Sequence, residues 1–151
     1  MDSTALDQLK ALHAELLALI DELAGITALP EPERSQLTAV RWRLSRASRA
    51  RTKLIENSIL PHLLALASPA EVQRLGALRE QIASASGASS RHVSGWTIDR
   101  VLTQWSDYCA ASATIRAAMA SRIATEKTLL YPLLRRAPLN GDLQVPRAQA
   151  G

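Results

Sequence analysis

Two segments of this chain end in the same pattern of residues. Positions 51–61 read RTKLIENSILP and positions 122–132 read RIATEKTLLYP, and further leucines follow each proline. Each segment lies at the end of a long tract whose apolar residues recur with helical periodicity. The repeat therefore predicts an all-α fold made by duplicating a helical hairpin.

The amino-acid composition is consistent with packed helices and excludes some kinds of structural and metal-binding site. The 151 residues are 47% hydrophobic and 3% aromatic, with no phenylalanine, so Leu, Ala, Ile and Val must build the core of one domain. The lone cysteine, Cys109, excludes an internal disulfide and a CxxC zinc motif. The N-terminus carries acids and no long apolar run is present, so we expect a cytoplasmic protein without membrane contact.

Periodicity and helix signals divide the chain into four helical tracts. The first covers about 4–23 and ends before Gly25, and the second covers about 33–67, where Pro61 should kink or shift the helix. Ser68 predicts the start of a short third helix. Residues 84–95, rich in Ser, Gly and Ala, indicate a flexible connection to a fourth helix over about 96–135.

This order of short and long helices predicts an antiparallel up-down four-helix bundle built from two helical hairpins. The bundle should occupy residues 1–136 as a single domain. Residues 137–151 carry no periodic pattern and indicate an irregular C-terminal tail.

The repeated segments resemble the hemerythrin-like, or HHE cation-binding, domains, and the resemblance covers most of residues 4–136. In that family each long helix carries a histidine, an acid four residues later and a Leu-Phe-Pro or similar ending, around a non-haem di-iron centre. The run from Glu126 to Pro132 is similar to that ending, and the run from Ile55 to Pro61 is a weaker match. His13 has the place of the family's first-helix histidine.

The resemblance also implies that most metal ligands are missing. Arg51 and Arg122 stand where the two long-helix histidines belong, and Ile55 stands in place of the first acid. Glu126 keeps the second acid, and the third-helix histidine aligns with Gly76. Because a guanidinium stays protonated and only donates hydrogen bonds, it cannot serve as a metal ligand.

We therefore expect an internal polar cluster of His13, Arg51, Arg122 and Glu126 in place of the iron site, with no cofactor. In the alternative, the two arginines extend outward between the helices and bury only their stems. The alternative to a cofactor-free protein is one that binds non-haem iron through an altered set of ligands.

The surface is basic, with 18 Lys and Arg against 14 Asp and Glu and a formal net charge of +4. Arg46, Arg49 and Lys53 should line the outer face of the second helix, where they could contact phosphates or an acidic partner. The sequence holds no nucleic-acid motif, which favours a solvated helix face over nucleic-acid binding. A glycine-rich phosphate loop, a nucleophile elbow and a spaced Cys–His pair are absent, so we expect no enzyme activity.

These patterns lead to three hypotheses for function. The first is a metal-free hemerythrin-like binding or regulatory module that acts through a protein partner or self-association. The second is a hemerythrin-like iron protein in oxygen or redox sensing. The third is an anion- or nucleic-acid-binding protein that uses the basic second helix.

Overall fold

The computed structural model describes residues 3–140, and these residues form helices and no β-strand. The elements are α1 (Ala5–Thr27), α2 (Arg34–Leu54), a π-helical segment (Ile55–Ile59), α3 (Leu60–Leu66), α4 (Pro69–Gly95), α5 (Ile98–Thr103) and α6 (Trp105–Arg136). The prediction of an all-α fold is confirmed. No helix within residues 3–140 combines the length and the apolar character needed to cross a membrane.

Capping side chains begin two of the helices where the sequence predicts a start. Thr4 accepts a hydrogen bond from the Asp7 N–H, and the Asp7 carboxylate accepts one from the Thr4 N–H. Ser68 and Glu71 form the same reciprocal pair at the start of α4. The predicted end of α1 at Gly25 is wrong, because the helix continues to Thr27.

The second tract is a nearly continuous path from α2 through the π-helical segment to α3. Leu60 donates its N–H to the carbonyl of Ile55, five residues back, which defines the wider turn. Pro61 follows directly and has no N–H to donate to the helix. The disturbance expected from this proline therefore takes the form of a π-helical turn.

Residues 84–95 are helical, so the prediction of a flexible connection here is wrong. Alanines between the serines favour the helix, and the Ser94 hydroxyl donates to the carbonyl of Ser90 at 2.9 Å. The His92 ring stacks on Tyr108 of α6 with the ring centroids 5.9 Å apart. Tertiary contact and alanine content together outweigh the turn-forming tendency of serine and glycine.

The predicted fourth helix is divided into two. Thr97 caps the short α5, and Gln104, with φ −129° and ψ 51°, interrupts the helix before Trp105 begins α6. The Trp105 indole N–H donates to the carbonyl of Leu29 at 3.0 Å, which ties the new helix start to the end of α1. The prediction of a single uninterrupted helix from residue 96 is therefore wrong, because the long helix begins only at Trp105.

The apolar core consists of two groups of buried side chains. Helix α1 packs against α2 and α6, and α4 packs against α3 and α6. One group contains Leu9, Leu54 and Leu130, and the other contains Leu16 and Ala47. Along α1, α2 and α6 the predicted cluster residues lie at the boundary between these groups, so the fold places a polar layer between two apolar ones.

The start of the predicted tail packs back onto α1. The Ala5 N–H donates to the carbonyl of Leu139 at 2.7 Å, and Leu139 is buried. Thr4 and Asn140 form an isolated antiparallel bridge. The rest of the predicted irregular tail, residues 141–151, lies outside the described residues.

Candidate functional site

Three of the four residues in the predicted internal polar cluster are almost completely buried. His13 and Glu126 are 0% exposed and Arg51 is 1% exposed. The side chain of Arg122 is 9% exposed. The structure therefore brings all four residues to the same interior region, contributed by α1, α2 and α6.

A hydrogen-bonded chain runs from Glu126 through His13 to Tyr131. The His13 Nε2 atom lies 2.7 Å from Glu126 Oε1, and Nδ1 lies 2.6 Å from the Tyr131 hydroxyl. An ionised Glu126 only accepts, so Nε2–H donates to it, and in the tautomer that carries this hydrogen alone Nδ1 accepts a hydrogen bond from the Tyr131 hydroxyl. Burial, with the charge of Glu126 added to it, raises the pKa of Tyr131 and keeps the phenol protonated for this role.

Two guanidinium groups face this single carboxylate at longer range. Arg51 Nε lies 3.8 Å from Glu126 Oε1, and Arg122 Nε lies 4.0 Å from Oε2. Burial lowers the pKa of Arg51, against the opposing attraction of Glu126. Burial and the neighbouring Arg51 charge lower the pKa of Arg122 to about 10. Two arginines facing one carboxylate leave the cluster with an excess positive charge.

Four buried side-chain atoms of the cluster have no hydrogen-bond partner among the residues that the structure describes. They are Arg51 Nε and Nη1, Arg122 Nε and Glu126 Oε2. A buried polar group without a partner costs about 1 to 3 kcal/mol, and more when charged. Three of the four atoms are donors on cations, so the cluster has a surplus of donors as well as of positive charge.

The predicted alternative, in which both arginines extend to solvent, does not describe Arg51. Its guanidinium stays inside the protein and donates from Nη2 to the Thr52 hydroxyl at 3.4 Å. Arg122 is different, because it also lines a cavity that reaches the surface. The two arginines thus share one carboxylate but have different access to solvent.

The other positions that the resemblance compares with metal ligands are not arranged as a site. Gly76 is exposed and a Cβ there would meet nothing within 4 Å, so its alignment with an interior histidine is wrong. Ile55 is fully buried in apolar surroundings. His62 contacts the Ala137 carbonyl, and His92 stacks on an aromatic ring. Across residues 3–140, no three His, Cys, Asp or Glu side chains form a group that could hold a metal ion.

The basic surface of α2 is where the sequence predicts it. Arg46, Arg49 and Lys53 are all exposed. The Arg46 guanidinium lies 4.8 Å above the ring of Trp42, which is itself 59% exposed. Cation–π contact of this kind holds the arginine along the helix surface.

Sequence reasoning missed a cavity of about 380 Å³ between α2, α4 and α6. We call it the serine-lined groove, because serine and threonine supply eight of the residues that line it. Ser45, Ser48 and Thr52 repeat every three to four residues along α2, and this helical spacing was a readable signal. The serines of α4 were not recognised because that segment was interpreted as a loop.

Sequence reasoning also missed Tyr131 as a partner of His13. It was seen only as part of the ending before Pro132 and received no role of its own. Residues 13 and 131 are on different helices, so their contact depends on the packing of α1 against α6. No local pattern could have indicated it.

No protein-family model, curated protein or solved structure matches this chain. The hemerythrin-like resemblance therefore rests on the residue pattern alone.

Proposed function

We propose that this chain is a metal-free binding or regulatory module, built as an antiparallel up-down four-helix bundle of hemerythrin-like type. The observation that carries the proposal is the Arg51 guanidinium, 1% exposed and 3.8 Å from the Glu126 carboxylate. In the resemblance, a metal-binding histidine would stand at position 51. A guanidinium is protonated at neutral pH, so at this point it repels a cation and offers it no lone pair.

Helix contacts support the bundle part of the proposal. Helices α1 and α2 follow each other after a short connection and pack together, as antiparallel neighbours do. Helix α6 contacts both α1 and α4. The second and fourth tracts each end in one copy of the repeated segment, which is what a duplicated hairpin requires.

The donor set does not fit a di-iron centre. His13 and Glu126 are the only ligand-type side chains of the cluster, and both ring nitrogens of His13 already take part in hydrogen bonds. A di-iron site needs several imidazole and carboxylate groups that converge on the metal. We therefore assign the cluster a role that involves no metal: it cross-links α1, α2 and α6 through charge and hydrogen bonding.

Metal analysis tests this proposal directly. The protein is purified aerobically without a metal-binding tag, and its metal content and visible absorption are measured. We expect well under one metal ion per chain and no absorption band at wavelengths longer than those of the protein's own absorption. Two irons per chain with an oxo-bridge band would overturn the proposal and favour the alternative of a non-haem iron protein in oxygen or redox sensing.

A gain-of-ligand variant tests whether the replaced positions share one interior site. Arg51→His, Arg122→His and Ile55→Glu together restore the ligand types that the resemblance expects beside Glu126. We expect the triple variant to bind Co²⁺ with visible absorption bands typical of nitrogen and oxygen ligands. Arg46→His with Arg79→His is the control, since it adds one histidine to an exposed position of each of two different helices, α2 and α4. Equal cobalt binding by both variants would show that the interior positions do not converge.

The proposed partner is a protein or a second copy of this chain. Leu66 is 64% exposed and Val72 is 44% exposed near the α3–α4 junction, and such apolar exposure supports association. Light scattering across a concentration series measures self-association. We expect Leu66→Ser to shift a dimer towards monomer. If the wild-type protein and the variant both keep the mass of a monomer at every concentration, only a different protein remains as the partner.

A further inference from the structure

The serine-lined groove runs from the surface to the edge of the internal polar cluster. Arg49 and Ser86 at its rim are exposed, whereas Tyr108 and Ser112 at its floor are each 1% exposed. Its volume of about 380 Å³ is in the range of small-molecule sites. Arg122 forms part of this lining as well as part of the cluster.

The charges around the groove have one sign. Arg41, Arg49 and Arg122 line it, and none of the described lining residues is acidic. Arg41 is already used, because its Nη2 donates to the carbonyl of Trp96 at 2.6 Å. Arg122 is different: its side chain is more than nine-tenths buried, and its Nε has no hydrogen-bond partner within residues 3–140. A buried cationic donor of this kind calls for an acceptor with negative charge.

Hydroxyl groups add donors on both sides of the groove. Those of α2 are contributed by Ser45, Ser48 and Thr52, and those of α4 by serines such as Ser89. A hydroxyl can donate to an anion and can turn to suit its position. These groups supply adaptable hydrogen bonds around a negatively charged ligand group.

The remaining wall of the groove is apolar. Leu44, Ile115 and Met119 belong to it, together with the ring of Tyr108. A bare inorganic anion would leave this surface without a partner. The ligand therefore needs an apolar body in addition to an acidic group.

We propose that the serine-lined groove binds an amphipathic organic anion, with its acidic group at Arg122 and its apolar body against Leu44, Ile115 and Met119. This inference rests on the proposed binding function and names the ligand class for it. The acidic group is a carboxylate or a phosphate monoester on a soluble molecule. Bound there, it places negative charge beside the Arg122 guanidinium and offsets the excess positive charge of the cluster.

Titration calorimetry with simple probes tests the ligand class. Octanoate and octyl phosphate carry the proposed chemistry, octanol and octylammonium share the body but not the negative charge, and inorganic phosphate has no apolar body. We expect one octanoate or octyl phosphate per chain, and at least about tenfold weaker binding of the other three probes. Absence of saturable binding by both anions, or octanol binding as tightly as octanoate, would overturn the proposal. So would binding to phosphatidylglycerol vesicles without binding to the soluble anions.

Matched variants test the place of the acidic group. Arg122→Leu should weaken octanoate binding by about tenfold or more, because it removes a charged donor. Arg46→Leu removes the same charge from the exposed side of α2, outside the groove, and should leave the binding constant unchanged. Equal weakening by both variants would mean that only the overall positive charge of the protein matters. Unchanged binding in Arg122→Leu would show that the acidic group of the ligand does not lie at Arg122.

Two further measurements distinguish a loss of ligand binding from a loss of folding and from metal binding. Ser48→Leu fills the groove without changing charge, and it should abolish octanoate binding while the helical circular dichroism is kept. The Met119 methyl signal, assigned by its loss in Met119→Leu, should shift and saturate at the calorimetric midpoint. An unmoved Met119 signal would place the anion elsewhere. Metal content is measured on the same samples, so failure of the metal-free proposal is seen separately from failure of binding.

Discussion

Replacing Arg122 with methionine should make the folded protein more stable. Burial and the charge of Arg51 lower the pKa of Arg122 to about 10, although Glu126 attracts the guanidinium. This lowers its proton affinity by more than two orders of magnitude, and each order corresponds to about 1.4 kcal/mol. The charged group therefore costs the folded state about 3 kcal/mol relative to its neutral form. Methionine keeps an apolar stem of similar length and removes this cost.

The expected gain is about 1 to 3 kcal/mol, because Glu126 loses one attractive neighbour when Arg122 is removed. For a chain of this size that corresponds to a rise in Tm of about 3 to 10 °C. Glu126→Gln should have the opposite effect, with a loss of about 3 to 5 kcal/mol, since it leaves two buried cations without a counter-charge. Arg46→Met, at an exposed position of α2, serves as the control and should change stability by less than about 0.5 kcal/mol.

Urea unfolding followed by circular dichroism at several pH values provides the assay. Below pH 9, Arg122 is protonated in both the folded and the unfolded protein, so the gain should be constant. Above about pH 10 the folded wild-type protein releases the Arg122 proton before the unfolded chain does. Its stability then rises relative to the variant and the gain should shrink. A loss of stability in Arg122→Met as large as that in Glu126→Gln would refute the reasoning.

Three other changes test separate parts of the fold. Ser68→Ala removes the N-cap acceptor of the Glu71 N–H and should cost about 1 kcal/mol in urea unfolding, and a change below about 0.3 kcal/mol would show that the capping box contributes nothing. Tyr131→Phe removes the hydroxyl partner of His13 and should cost about 1 to 2 kcal/mol by the same method; an unchanged midpoint would contradict this hydrogen bond. Gly76→Ala adds a methyl group that meets nothing and should raise stability by about 0.5 to 1 kcal/mol, whereas any loss would mean that position 76 is packed.

The helical fold could be predicted from the sequence because its signals are local. The two capping boxes, the apolar periodicity and Pro61 each act over a few residues. Residues 84–95 could not be interpreted in this way, because contact between His92 and Tyr108 helps to hold them helical. The break at Gln104 likewise lies beside a tertiary contact, because the adjacent Trp105 donates to the carbonyl of Leu29. Intrinsic helix propensity determines the secondary structure of a segment where tertiary packing favours no conformation, and tertiary contacts override it elsewhere.

The candidate site could be predicted only in part. His13, Arg51 and Glu126 lie on inner stripes that the helical period identifies, and the structure places each of these residues in the interior. The serine-lined groove lies between helices that are distant in sequence, so its shape depends on how closely α2 and α4 approach. Such a separation between two helices is a property of packing, and the sequence of α2 alone indicates only the polar stripe of Ser45, Ser48 and Thr52.

Stability and binding should respond to Arg122 in opposite directions, and this contrast separates a structural role from a binding role. One arginine is enough to balance the Glu126 carboxylate, and Arg51 is the more deeply buried of the two. We expect the second guanidinium, that of Arg122, to lower stability; its Nε has no partner among the described residues, and it lines a groove that also carries other cations and hydroxyls. If Arg122 were a structural ion-pair partner, its removal would lower stability and would not change binding of an octanoate probe. A ligand-binding arginine predicts the reverse: its removal raises stability and weakens binding.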